Sequence, residues 1–192
     1  MSNSAGLKKL WDNPSFRFVF LFTVFFVLFY YFNIFFMGIT APGNYYSPFL
    51  DEHLNYIRAL RTFLIWASAL ILKSLNYTIY TSEYTLHAYG IGGINVVYSC
   101  LGFGVMSFFT AFIIAWPGKS FQNKIIFLIG GIIGIQVLNI ARFILITLFW
   151  RSSSLPFKLD HHTLFNWVLY IILLGSIFIW TNTYQNQRKS LN

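Results

Sequence analysis

Charge interrupts this chain only at intervals, and the runs between the charges define its elements. Past Lys8, Lys9, Asp12 and Arg17 no charged residue occurs before Asp51, and residues 18–37 are almost wholly Phe, Leu, Val, Ile and Tyr. About 20 such residues suffice for a helix to cross a bilayer, so 18–37 is predicted as a first transmembrane span. The run exceeds the apolar core of a signal peptide, and the one cleavage-like end, Thr40-Ala41-Pro42, follows too late. The segment is therefore read as a retained helix. Residues 62–72 are apolar too, but Arg58 and Arg61 precede them and Lys73 follows. As a helix they reach only about 16 Å at 1.5 Å per residue, against a hydrocarbon core of roughly 30 Å. An interfacial or re-entrant helix over 54–75 is expected, its Arg and Lys stems snorkelling to the headgroups.

The pattern then changes. Tyr77-Thr78-Ile79-Tyr80-Thr81 and Tyr84-Thr85-Leu86-His87-Ala88-Tyr89 are rich in residues that suit strands, with Gly90, Gly92 and Gly93 behind them. A short extracytoplasmic β-hairpin is predicted over 76–98. Apolar character resumes over 99–116, a second span stopped by Pro117-Gly118, and continues over 125–150, a third span interrupted by the single charge of Arg142. A fourth span covers 163–184, before a tail over 185–192 that carries Arg188 and Lys189. No internal repeat or low-complexity linker divides the chain. The expected architecture is a single membrane domain over 1–192, an all-α polytopic protein of about four transmembrane helices with an interfacial helix and a small hairpin.

Composition narrows the class further. Of the 192 residues 57% are apolar, 21% aromatic and 9% charged, where soluble domains carry roughly 25% charged residues. An ordinary soluble domain is excluded, and any active site must lie in or against the bilayer. The net charge of +8 does not imply nucleic acid, because the basic residues stand beside apolar segments as membrane anchors do and form no stripe. With four spans and a cytoplasmic N-terminus, Lys8, Lys9, Arg17, Lys119, Lys124, Arg188 and Lys189 fall inside, seven of the 13 basic residues. A fifth span through 54–75 would strand four of these outside, so the positive-inside rule favours four spans in the plasma membrane with both termini cytoplasmic.

That topology brings three reactive side chains to the extracytoplasmic face. Cys100 starts the descending second span, Arg142 lies in the outer half of the third, and His161 precedes the fourth. Counted from Trp150, Arg142 is about 12 Å deep. A cation there costs roughly 2.5–3.5 kcal/mol on insertion scales, so it should face a polar cavity or a partner. Asn139 shares its helix face and offers that cavity an amide. A thiol, an imidazole and a fixed cation together suit acyl transfer through a thioester: the thiolate attacks a peptide carbonyl, the imidazole moves the proton, and the guanidinium stabilises the oxyanion. A helix start at Cys100 would favour the thiolate further, and Gly102 and Gly104 would let a substrate backbone approach. Blander roles exist for each group. A lone membrane Cys is usually a packing residue, His161 and His162 suit an interface, and Asp160 suits a helix cap better than an imidazole partner. A single Cys excludes an intramolecular disulfide and a Cys-cluster metal site.

The residues around these positions resemble a known family. Val96-Val97-Tyr98-Ser99-Cys100-Leu101-Gly102-Phe103, Ala115-Trp116-Pro117-Gly118-Lys119, Leu138-Asn139-Ile140-Ala141-Arg142-Phe143 and His161-His162-Thr163-Leu164-Phe165 look like the exosortase/archaeosortase family, most like its short core-only members, over about 50–184. The resemblance implies Cys100 as nucleophile, Arg142 and His161 as its partners, Asn139 as a supporting residue, and no metal or organic cofactor. Two departures stand out: Leu101 comes between the Cys and Gly102, and His162 stands where many short members have Asp. The activity implied is cleavage of a C-terminal sorting signal, made of a short motif, a transmembrane helix and a basic tail, on membrane-anchored protein substrates. The new C-terminus is passed to an acceptor or released. A different class, a non-catalytic membrane scaffold in surface-polymer export, is the alternative. A proton-coupled transporter is poorly supported because no span holds a carboxylate to pair with Arg142.

Overall fold

The computed structural model describes the backbone over 11–43, 45–149 and 161–189, and side chains within these ranges except over 161–164 and 184–189. The described elements are α1 (Pro14–Thr40), α2 (Pro48–His53), α3 (Tyr56–Ser74), β1 (Ile79–Thr81), β2 (Thr85–Ala88), β3 (Gly92–Asn95), a 3₁₀ turn (Tyr98–Leu101), α4 (Phe103–Ala115), α5 (Phe121–Phe149) and α6 (His161–Lys189). Among the described residues three helical stretches are long and apolar enough to cross a membrane: Pro14–Thr40, Phe121–Phe149 and Phe165–Thr183. The all-α multi-span class is thus the observed one, with two differences from the sequence reading.

The first difference lies in the second predicted span. Its helical part, α4, has 13 residues, about 20 Å at 1.5 Å per residue. Gly102 causes the shortening: its φ of +77° is left-handed, which a glycine adopts freely, and it separates the 3₁₀ turn from α4. The second is the hairpin, which is a three-stranded antiparallel meander in the order β1-β2-β3. Gly90, with φ +73°, turns the chain, and Gly92 and Gly93 belong to β3, paired with Ala88 and His87. Glycine is required at the latter pair, since a Cβ on Gly93 would stand 2.9 Å from Cγ of His87.

The chain forms two compact units. The first comprises residues 1–58 and 102–132. Asn13 caps α1, its Oδ1 accepting from the backbone N–H of Ser15 at 3.0 Å, with Pro14 in the first turn. The helix ends at Ala41, which is extended because Pro42 follows. An aromatic seam joins α1 to α4: Phe18 meets Phe112 at 5.4 Å between ring centroids and Phe22 meets Phe108 at 5.3 Å, both edge-on. Asn33 adds a polar tie, donating to Oγ of Ser107 at 3.2 Å and accepting from Tyr56 Oη at 2.7 Å. Beside them Asp51 is buried and gathers three donors, Asn55 at 2.7 Å, Tyr46 at 2.8 Å and Arg58 at 2.9 Å.

The second unit comprises residues 59–101 and 133–192 and holds every candidate catalytic position. Its part of α3 buries the stripe Leu64, Ile65, Ser68, Ala69 and Leu72, the spacing of one helix face. Asn76, with φ +65°, closes α3: its N–H donates to Lys73 O at 3.0 Å and that of Tyr77 to Leu72 O at 3.1 Å, the Schellman pair of bonds. The sheet follows at once. Its central strand points Leu86 and Ala88 inward and Thr85 and His87 outward. Arg61 holds the β1–β2 turn twice, by an ion pair to Glu83 at 3.0 Å and by stacking over the Tyr84 ring at 3.9 Å. At β3 a Cβ on Gly92 would come within 3.1 Å of Thr147 O, so the sheet lies against the C-terminal part of α5. On α6 the stripe Leu169, Leu173 and Ile177 is buried, while Trp167, Ile171 and Phe178 are exposed as for contact with lipid.

Candidate active site

Val96 anchors the approach to the site. Its side chain is fully buried and its N–H donates to Tyr84 O at 2.7 Å, which ties the chain leaving β3 back to the sheet. Two residues later the 3₁₀ turn begins, and Cys100 N–H donates to Val97 O at 2.9 Å. Cys100 is therefore part of a tight turn and does not open a transmembrane helix. It lies two residues before the N-cap of α4, so the helix-dipole argument for its thiolate loses its basis. Its side chain is 4% exposed.

The other wall is a strip of α5. Ile135, Gln136, Asn139, Arg142, Phe143, Ile146 and Thr147 are its buried residues. Arg142 is 4% exposed and Asn139 1%, so the guanidinium that the sequence places in an apolar run is indeed withdrawn from the helix surface. A buried cation is tolerated only among polar partners, and the strip supplies two amides within two turns of it. Asn139 Nδ2 donates to Gln136 Oε1 at 3.0 Å and to the carbonyl of Leu101, the residue after Cys100, at 3.3 Å. This bond brings the Cys100 turn and the Arg142 helix together.

His161 and His162 stand in the first turn of α6, and their side chains lie outside the described residues, as do Trp150 and Asp160. Gln136 is the member of the strip that sequence reasoning missed. Its signal was present: it sits three residues before Asn139, on the same face of the helix.

A multi-span membrane protein with a cysteine turn tethered to a buried Asn-x-x-Arg strip is the class these features define. Residues 14–179 match the family described as transmembrane exosortase (Exosortase_EpsH), and the chain belongs to that family of protein-sorting enzymes. No curated protein and no solved structure matches the chain.

Proposed function

We propose that this chain is a cysteine transpeptidase or endopeptidase that cleaves C-terminal sorting signals of exported, membrane-anchored proteins. The observation that carries the reading is the tether from Asn139 to the Leu101 carbonyl, which holds the Cys100 turn against the helix that buries Arg142. Membership of the exosortase family supports it. In this scheme the Cys100 thiol gives its proton to His161, and Sγ attacks the carbonyl carbon of the scissile peptide bond. A C–S bond forms, and the Arg142 guanidinium donates to the resulting oxyanion. Collapse breaks the C–N bond, and the leaving amine takes the proton from His161. An acceptor nucleophile or water then gives a proton to the imidazole, attacks the thioester and releases the thiolate. The site faces the extracytoplasmic side, both termini are cytoplasmic, and the substrate helix enters laterally from the bilayer. His162 supports or substitutes for His161.

The near-complete burial of Cys100 favours one other reading, a scaffold in surface-polymer export in which the thiol only packs. One experiment separates them. Cys100→Ala should abolish processing while the protein reaches the membrane at normal abundance, and the parent chain mixed with membranes that contain the substrate and quenched with acid during turnover should carry an adduct on Cys100 that hydroxylamine releases. Full processing by Cys100→Ala sinks the thioester reading and leaves the scaffold.

A further inference from the structure

We propose that Gln136 and Asn139 form a two-amide clamp that sets the position of the Cys100 turn, which makes both of them positioning residues for the thioester chemistry proposed above, on which this inference rests. The geometry is specific about the direction of every proton. The Asn139 amide nitrogen carries two hydrogens, and both meet acceptors: Gln136 Oε1 at 3.0 Å and Leu101 O at 3.3 Å. Reversing the amide would set Oδ1 against two oxygens. Gln136 therefore favours the orientation in which Asn139 reaches the turn, and through that bond it bears on the position of Cys100.

The clamp acts on a short lever. At its start the turn is closed by the bond from Cys100 N–H to Val97 O at 2.9 Å, and at its end by the bond to Leu101 O. Cys100 lies between the two. Immediately beyond, Gly102 takes a left-handed φ of +77°, a conformation that does not itself resist rotation of the preceding peptide. Without the Asn139 bond the Leu101 peptide plane loses its side-chain tether. Both amides are buried, and the low local dielectric strengthens their bonds.

The clamp is testable without a substrate, because the chain has 1 Cys and alkylation reads Cys100 alone. The full chain in proteoliposomes is treated with iodoacetamide and the rate of Cys100 modification followed by mass spectrometry. Gln136→Leu removes the acceptor and shortens the side chain by one bond, whereas Gln136→Glu keeps both the length and an acceptor oxygen for Asn139. Asn139→Asp keeps the shape and turns the donor into an acceptor. Gln136→Leu and Asn139→Asp should each raise the modification rate by about tenfold, the equivalent of one buried hydrogen bond, and Gln136→Glu should restore it to within about twofold of the parent. Should Gln136→Leu fail to accumulate, Asn139→Asp carries the same comparison. A parent-like rate in both Gln136→Leu and Asn139→Asp, or an acceleration that Gln136→Glu reproduces in full, overturns the clamp. Because no turnover is involved, failure here leaves the thioester reading intact, and processing by Cys100→Ala would sink that reading while the alkylation result stood.

Discussion

The ring of Phe109 occupies the volume in which a side chain on Gly131 would stand. A Cβ built on Gly131 overlaps Cε1 and Cζ of that ring, whereas Gly130 and Gly134 on the same helix meet nothing. Within the first unit α5 thus approaches α4 over a glycine, as membrane helices do where van der Waals packing, not hydrophobic transfer, holds them together. Gly131→Ala should destabilise the protein by about 1–3 kcal/mol through overpacking. Gly130→Ala should be neutral or stabilise by up to about 1 kcal/mol, from helix propensity alone. Thermal unfolding in detergent measures both. Phe109→Leu frees part of the ring volume and should reduce the Gly131→Ala penalty. Strictly additive losses in the double variant would show that the two residues do not share that space.

A pH-dependent contribution to stability follows from the cluster around Asp51. The hydrogen bond from Asn55, then that from Tyr46, and the Arg58 guanidinium together hold the Asp51 carboxyl below its ordinary value. The same bond to Asp51 leads the causes that raise the Tyr46 phenol above its own. The two groups act at opposite ends of the scale. A depressed carboxylate stabilises the fold fully above its unfolded value, about 3.9, and the gain is lost as pH falls through the lower folded value. A raised phenol stabilises below about 10, and that gain is lost as pH rises through the higher folded value. The unfolding temperature in detergent should therefore drop at both extremes relative to the plateau between them. Asp51→Asn should flatten both drops, the acid one by removing the titrating group and the alkaline one by replacing the charged acceptor that favours the protonated Tyr46 phenol with a weaker neutral one. An unchanged profile in Asp51→Asn would assign the pH response to other groups.

How much of this was legible in the sequence depended on whether a residue breaks an apolar run. Arg142 does so visibly, because a charge in a hydrophobic helix has few ways to be satisfied, and its burial in the strip of α5 agrees with that reading. Gln136 does not, since a neutral amide hardly disturbs the hydropathy of a span. The long helices were legible as charge-free stretches, and the observed ends at Pro14 and Thr40 extend the predicted 18–37 because capping by Asn13 and the stop at Pro42 are local effects. Glycines were ambiguous. Gly130, Gly131 and Gly134 lie inside α5, while Gly102 in a similar apolar run is left-handed and separates the 3₁₀ turn from the start of α4. Only the fold decides which of the two a glycine does. In the same way Gly92 and Gly93 look like turn residues in the sequence and form a strand by pairing with Ala88 and His87, where a Cβ on Gly93 would crowd His87 and one on Gly92 would sit tightly against Thr147 O.

The brevity of α4 makes topology the next question. Ser82 in the sheet turn and Ser120 before α5 are both exposed, and α4 separates them along the chain. If α4 and the 3₁₀ turn carry the chain across, a cysteine placed at Ser82 in a Cys100→Ala background should react with a membrane-impermeant maleimide in intact cells. One placed at Ser120 should react only after permeabilisation. Labelling of both from the same side would make α4 a re-entrant helix and would remove the orientation on which the extracytoplasmic site depends.

Arg142 offers the sharpest distinction between a catalytic and a structural strip. A structural polar cavity asks chiefly for a positive charge that its partners can satisfy, and Lys keeps that charge. An oxyanion asks for more: planar, paired donors aimed at one point, which the guanidinium has and an ammonium on a flexible stem lacks. Arg142→Lys should therefore lose processing almost as completely as Arg142→Ala, by about 10²–10³-fold, the scale of removing one oxyanion donor. Their abundance in the membrane should differ, with the Lys variant close to the parent and the Ala variant lower because truncating a buried side chain leaves a cavity beside the strip of α5. Quantifying the released C-terminal segment per molecule of membrane protein reads the two effects apart. Near-parental processing by Arg142→Lys would mean that charge alone is needed at this position, and the guanidinium would then have no part in stabilising the oxyanion.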